Sequence, residues 1–324
     1  MNSYKIKKEF YILAILDNRI GNRNQIFAIL DELHLPYKIL DIKYNWLANL
    51  PNFVLQIFGG YSHIKNFDIK KVKTKPNLIL SCGRRTFPLA SKLKSLFSDN
   101  TYFIHLMYPK LSLNIRECNL IFTPFHDNVK TSERVIKTLG SPAPLDIIKI
   151  KKNPYKTKPI ISILIGGNHG RYKLKSHTIN YMITETLNKI KQGSILISTS
   201  RRTPDNIIKL INKWGKKNKF FKIIFHPKIN KGKNPIKEMI AYADEFVVTG
   251  DSVSMVSQLC QYEKPVRIIF NKNFCSTKHI KFCKKLIDEE YAYPFESLLK
   301  KCNNIKTFNT TKKISKKILS IIKQ

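Results

Sequence analysis

The sequence predicts an α/β chain built from two parallel-sheet domains, and three observations predict it. Apolar runs of strand length alternate with helix-period segments almost throughout, the pattern of strands joined by helical crossovers. The alternation breaks once, over residues 140–159, where Pro142, Pro144, Pro154, Pro159 and a lysine cluster interrupt it and read as a linker. In both halves, glycine, hydroxyl and arginine residues collect where strands end. The expected division is a Rossmann-like domain over residues 1–150 and a second over residues 151–324, facing across a cleft.

In the first half, strands are expected at residues 10–16, 37–41, 78–81, 102–105 and 120–123. Each is a short, nearly unbroken apolar or β-prone run, as a strand covered on both faces requires. Helices are expected at 22–33, 86–96 and within 46–59. The pattern then restarts, with strands at 160–165, 194–198, 221–225, 245–249 and 265–270. The helices of this half fall at 174–190, 204–214, 235–242 and 252–262. The helix at 204–214 is opened by Thr203 with Pro204 in its first turn, where a missing N–H does no harm. A last basic, amphipathic helix covers 312–322, and no repeat of solenoid period is present.

Composition narrows the function classes. A chain of 324 residues with 43% apolar content can bury two cores. It has no run of eighteen apolar residues, so no membrane-spanning helix is expected. The basic start, residues 1–8, precedes an apolar run too short for a cleavable leader. The net charge of +36 comes mostly from lysines spread along an Ile- and Asn-rich chain. Only ten basic residues are arginine, and Arg19, Arg23, Arg84, Arg85, Arg171, Arg201 and Arg202 lie in or beside strand-to-helix turns. Arginine suits bidentate phosphate recognition, whereas scattered lysine mainly solvates. An anionic membrane surface is a candidate partner of the diffuse charge, while no nucleic-acid module is present and no specific nucleic acid is expected. Six cysteines without a C-x-x-C pair read as reduced thiols of a cytoplasmic protein, peripheral on the inner face of the membrane if it meets one. No Asp-x-Asp or histidine cluster calls for a metal, and no cofactor is expected.

The strand-end turns carry the chemistry. Gly250-Asp251-Ser252-Val253-Ser254 follows the strand at 245–249 and opens a helix, placing N–H groups and small hydroxyls where open α/β sheets hold phosphorylated ligands. One turn on, Gln258 shares a helix face with Ser254. Ser198-Thr199-Ser200-Arg201-Arg202-Thr203 adds hydroxyls and two arginines. Gly166-Gly167-Asn168 ends the first strand of the second half, where glycine lets backbone approach a diphosphate. The bland alternatives are a tight turn at the glycines, a salt-bridged turn with Thr203 as helix cap, and Ser252 as a plain cap. In the first half, Asp17 is followed by Arg19, Gly21, Asn24 and Gln25, and Ser81-Cys82-Gly83-Arg84-Arg85-Thr86 echoes the second-half motif. Pro124-Phe125-His126-Asp127 places a histidine beside a carboxylate, a general-base candidate against a structural loop histidine.

Taken in order, Asp17-Asn-Arg-Ile-Gly-Asn-Arg-Asn-Gln25, Cys82-Gly-Arg-Arg-Thr86, Pro124-Phe-His-Asp127, Leu164-Ile-Gly-Gly-Asn168, Thr199-Ser-Arg-Arg-Thr-Pro204 and Thr249-Gly-Asp-Ser-Val-Ser-Met255 resemble the "elongated mitochondria" family. It comprises the plant mitochondrial-fission factor and bacterial relatives, and the likeness covers roughly residues 11–294. The resemblance implies a GT-B-like fold, similar to the glycosyltransferases of peptidoglycan precursors and lipid A disaccharide. It implies a nucleotide-sugar donor held by Gly166, Gly167, Asn168, Ser200, Arg201, Arg202, Asp251, Ser252, Ser254 and Gln258. An envelope or lipid-linked acceptor would be held by Arg19, Gly21, Asn24, Gln25, Gly83, Arg84 and Arg85, with Asp17 or His126 as base and no metal. It also implies an alternative, a non-catalytic adaptor that keeps the fold, as in the plant members' recruitment of a dynamin-related protein. Gln258 stands where relatives usually carry glutamate, and Asn22 where histidine is common; both bear on turnover more than on binding.

Overall fold

The computed structural model describes residues 10–72, 74–97, 100–113, 115–145 and 153–322. The basic stretch at 1–8 and part of the expected linker, 146–152, lie outside the described residues. Contacts divide the chain into two compact units, residues 1–144 with 310–324, and residues 145–309.

The first unit holds β1 (Ile12–Leu16), α1 (Ile20–Leu33), β2 (Tyr37–Asp41), α2 (Asn52–Ile57), β3 (Leu78–Cys82), α3 (Phe87–Phe97), β4 (Tyr102–Leu106), β5 (Leu120–Pro124) and β6 (Val135–Thr138). Its six strands are all parallel, in the order β2-β1-β3-β4-β5-β6. β1 and β3 are buried along their whole length, as their continuous apolar runs require, whereas β2 is an edge with exposed side chains. One core cluster sets Ile12, Ala14 and Leu16 of β1 against Ile26, Ile29 and Leu30 of α1.

The second unit holds β7 (Ile160–Ile165), α4 (Ser176–Lys189), β8 (Ser194–Thr199), α5 (Asp205–Lys217), β9 (Phe221–Phe225), α6 (Ile236–Tyr242), β10 (Glu245–Thr249), α7 (Val253–Leu259), β11 (Val266–Ile269), α8 (Thr277–Asp288) and β12 (Tyr293–Pro294). Read from one edge, its parallel sheet runs β9-β8-β7-β10-β11-β12. In chain order that is 3-2-1-4-5-6, the doubly wound order of dinucleotide-binding domains. The last helix, α9 (Thr310–Ile322), follows this unit in sequence but packs on α1 of the first. Its Ile314 and Ile318 enter the first unit's core, and the Thr311 hydroxyl and Ala143 backbone bond each other at 2.8 and 3.1 Å. A boundary at residue 150 assigns this helix to the second half; burial of its apolar stripe assigns it to the first.

Three elements carry no sequence expectation: β6, β12 and α8. The α8 signal was present, since Ser276 accepts a hydrogen bond from the His279 amide as an N-cap and Phe282, Cys283 and Leu286 are buried. Its many lysines mask that stripe in the composition. Thr203 does not cap α5: Pro204 sits at the N-cap, and the Thr203 hydroxyl turns to the carbonyl of Gly166.

Candidate functional site

In the second unit the chain reverses its direction of growth between β7 and β10, and ligands of open α/β sheets bind at such a switch point, off the carboxyl ends of the strands. The turns after β7, β10 and the neighbouring β8 meet there as one lattice. The Gly166 amide donates to Thr249 Oγ1 at 2.7 Å, and the Gly167 amide to Asp251 Oδ2 at 2.8 Å. The same carboxylate oxygen takes Arg202 Nη2 at 3.2 Å. Arg202 Nη1 donates to the Asn168 carbonyl at 3.2 Å while the Asn168 amide donates to the Arg202 carbonyl at 3.1 Å. The Thr203 hydroxyl accepts the Ser200 amide at 2.9 Å.

This lattice explains both glycines without a ligand. A methyl group at Gly166 would fall on the Asp251 carboxylate, and one at Gly167 on the Arg202 carbonyl, 2.5 Å from the Thr203 nitrogen. Both amides are taken by internal acceptors, so the turn serves the frame itself. Asp251 is buried, and burial pushes its carboxyl up, opposed by the Gly167 amide, Thr249 and Arg202.

Of the rest of the predicted set, Ser200, Ser254 and Gln258 are half-buried and Ser252 is buried. Arg201 is exposed and makes no hydrogen bond or ion pair among the described residues. The Ser200 hydroxyl lies 3.2 Å from both Thr203 Oγ1 and the Arg202 amide, closing the turn. Ser252 and Ser254 bring their hydroxyls to 3.4 Å at the start of α7, with Gln258 half-buried one turn on. His226, after β9, is buried with Nδ1 3.1 Å from Thr199 Oγ1 and Nε2 3.0 Å from Asn212 Oδ1. Burial lowers its pKa, which leaves a neutral ring joining β8 to α5. His169 is exposed and rests 5.3 Å from the His279 ring.

The first unit has its own switch point, between β1 and β3, and the predicted acceptor-side residues surround it. Asp17 ends β1, buried, and accepts from the Arg19 amide at 3.0 Å, Asn22 Nδ2 at 3.1 Å and the Tyr44 hydroxyl at 3.2 Å. Burial and the Asp17 charge raise the Tyr44 phenol, so it remains the donor. Gly83 has φ +85°, and a side chain there would strike Asn22. The two arginines after it are anchors: Arg84 donates to the Leu50 and Ala48 carbonyls at 2.6 and 2.8 Å and to Asn52 Oδ1 at 3.1 Å. Arg85 reaches Asn49 Oδ1 at 2.8 Å and lies 5.5 Å over the Tyr44 ring, while its carbonyl is 2.8 Å from His63 Nε2. Gln25 bonds the Gly21 carbonyl at 3.3 Å, and Arg19 and Asn24 are exposed. His126 is half-buried with its ring edge-on to Phe125 at 5.5 Å, and Asp127 accepts from the Thr123 hydroxyl at 3.1 Å. Asn22 and Thr249 lie within the sequence motifs, but their roles as partners of Asp17 and of the Gly166 amide do not show there. Tyr44 and His63 join these clusters without any local sequence signal, because they arrive through the fold.

Two doubly wound sheets with polar clusters at their switch points define a GT-B-like α/β protein. Solved structures share this fold. Staphylococcus aureus MnaA in its UDP co-structure aligns over 97% of this chain and 96% of its own, with a TM-score of 0.55 at 13% identity. A Listeria monocytogenes protein described as a putative UDP-N-acetylglucosamine 2-epimerase aligns over 97% and 88%, with a TM-score of 0.53 at 10% identity. The family follows from sequence: residues 20–322 match the model described as Mitochondrial fission ELM1, and the chain belongs to that family. An uncharacterized protein of Rickettsia prowazekii (strain Madrid E) is 30% identical over 96% of this chain and 98% of its own length. The Arabidopsis thaliana mitochondrial fission protein ELM1 is 24% identical over 70% of this chain, a match that spans 61% of the plant protein.

Proposed function

We propose that the chain binds a nucleotide-sugar donor on its second unit and transfers the sugar to an envelope or lipid-linked acceptor at its first, without a metal. The observation that carries this reading is the β7–β10 switch point, where a hydrogen-bonded lattice of three turns holds Arg201 unpaired at its edge. An unpaired arginine on a rigid turn is suited to a diphosphate, whose charge builds on the leaving group during transfer. Ser252, Ser254 and Gln258 offer hydroxyl and amide groups to a ribose. The UDP of the MnaA co-structure supports a uridine diphosphate donor. Asp17, held by three neutral donors, is oriented as a carboxylate base, with His126 the second candidate. The reading places the protein in the cytoplasm, peripheral on the inner face of the membrane where it meets a lipid-linked acceptor.

The adaptor reading is equally compatible with the internal bonding of these motifs. Arg84, Arg85 and the Gly166 and Gly167 amides are all engaged internally, which a retained scaffold needs as much as an enzyme does. A thermal-shift screen against uridine, guanosine, cytidine and thymidine diphosphates and their sugars separates the two. Selective stabilisation that is lost in Ser200→Ala/Arg201→Ala and survives salt supports the transferase. A flat response, or one equal for every polyanion, overturns it.

A further inference from the structure

One face of the first unit is apolar where a soluble surface is usually not. Trp46 is 75% exposed, Ile57 69%, Leu111 66% and Phe58 64%, with Phe53 and Leu113 also exposed. Direct bonds tie the helix that carries Phe53 and Ile57 to the segment that carries Leu111 and Leu113: the Phe53 amide donates to the Leu111 carbonyl at 2.7 Å, and the Gln56 side chain brackets the Leu113 backbone at 2.6 and 2.9 Å. Arg84 holds the base of the same segment through the Ala48 and Leu50 carbonyls. The bonded segments are therefore a built platform, and a concentration of exposed large apolar side chains on such a platform marks an interaction surface.

Charge says what it meets. Besides Arg84 and Arg85, which are engaged internally, the segments that build or flank it, residues 43–65, 84–97 and 107–113, contain five lysines (Lys43, Lys65, Lys92, Lys94 and Lys110) and no aspartate or glutamate. Lys110 adjoins Leu111, and Lys92 lines a cavity of about 170 Å³ between α2 and α3 together with Gln56 and Gly60. Glu117, which does contact α3, is half-buried and accepts from the Ser91 and Ser95 hydroxyls at 2.8 and 3.3 Å. A large aromatic, aliphatic side chains and a rim of cations without acids match the boundary between acyl chains and anionic headgroups. Among the described residues no helix is long and apolar enough to cross a membrane, so this contact would be interfacial.

We propose that this face, residues 46–58 and 107–113, docks on an anionic lipid bilayer, inserting Trp46, Ile57, Phe58 and Leu111 below the headgroups. The proposal rests on the transferase reading only for its purpose: Arg84 and Arg85 join the platform to the β3 turn, beside which a lipid-linked acceptor would arrive.

The test uses the full chain with Trp214→Phe, which leaves Trp46 as the only tryptophan. Vesicles of phosphatidylcholine alone and of phosphatidylcholine with one quarter phosphatidylglycerol are the probes. With the anionic vesicles, Trp46 emission shifts to the blue and is quenched by bromine-labelled acyl chains, and the protein floats with the vesicles. Ile57→Ser/Phe58→Ser, which changes no charge, lowers that partitioning on the order of tenfold or more while the melting temperature holds. Unchanged partitioning in that variant with unmoved Trp46 emission would mean that net charge alone binds the vesicles, and would overturn the proposal. So would light scattering that shows a dimer broken by the same variant without any effect of lipid. Nucleotide thermal shifts on the same protein report the donor site separately, so failure of one reading leaves the other standing.

Discussion

Gly167→Ala tests whether the three-turn lattice is rigid. The added methyl group would lie 2.5 Å from the Thr203 nitrogen and against the Arg202 carbonyl, both backbone atoms that no side-chain rotation can clear. Ordinary contact begins near 3.4 Å, so the β7 and β8 turns must part by about 1 Å. That movement breaks the Asn168 amide bond to the Arg202 carbonyl and the Gly167 amide bond to Asp251. Two hydrogen bonds at about 1 kcal/mol each and residual overpacking of the same order make roughly 3 kcal/mol. For a domain of this size the melting temperature of the second unit falls by roughly 6–12 °C. Gly21→Ala is the internal control: nothing lies within 4 Å of its methyl position, it sits in the first turn of α1, and alanine is neutral or slightly stabilising there. Calorimetry of both variants is the assay. A Gly167→Ala protein that melts within a degree of the parent would refute the lattice as the reason for the glycine, and would return the position to a ligand.

Three further expectations are independent of that lattice or probe its rim. Arg201→Ala leaves stability within about 0.5 kcal/mol, because the side chain is exposed and unpaired, yet weakens nucleoside diphosphate binding on the order of tenfold; titration calorimetry beside a urea melt reads both. Arg267 and Glu245, 1% and 5% exposed, form a buried ion pair that also holds Ser297 and the Lys300 carbonyl. Arg267→Met leaves the carboxylate buried with only the Leu299 amide and no counter-charge, and costs about 3–5 kcal/mol in urea unfolding, with partial recovery in Glu245→Gln/Arg267→Met. His105, buried between Phe87 and Phe103 and 2.7 Å from Ser81 Oγ, is held by burial down to about 3. Below its unfolded value of 6.5 the unfolded chain binds a proton that the folded one refuses. Stability therefore falls by about 1.4 kcal/mol per pH unit as pH drops from 6.5 toward 3. Ser81→Ala/His105→Phe flattens part of that acid limb in melts at stepped pH, and an unchanged limb would contradict the assignment.

The elements were largely legible in the sequence. Strands at 37–41, 160–165, 221–225 and 245–249 match β2, β7, β9 and β10 residue for residue. β7 and β10 are buried and must be unbroken apolar runs, while the edge strands β2 and β9 keep enough β-prone residues between polar flanks to be read despite their exposure. The turns were legible as well: Gly166, Gly167, Arg202 and Asp251 do meet. The partners of those residues were not. Two consecutive arginines after a strand read identically at 84–85 and 201–202, yet Arg84 is bound to carbonyls 34 and 36 residues away while Arg201 has no partner among the described residues.

By itself, then, the sequence determined the α/β class, the two-domain plan and the strand ends where polar groups gather, since these depend on the local period of apolar residues and on turn chemistry. Strand order, and with it the two switch points, came only from the tertiary structure. So did the docking of α9 on α1, the engagement of the glycine amides and of Arg84, and the exposure of Trp46, Ile57 and Phe58. The physical reason is range. A hydrogen bond such as Gly167 to Asp251 joins residues 84 apart in the chain, and local periodicity carries no information about which distant group closes on an amide or leaves a ring in water.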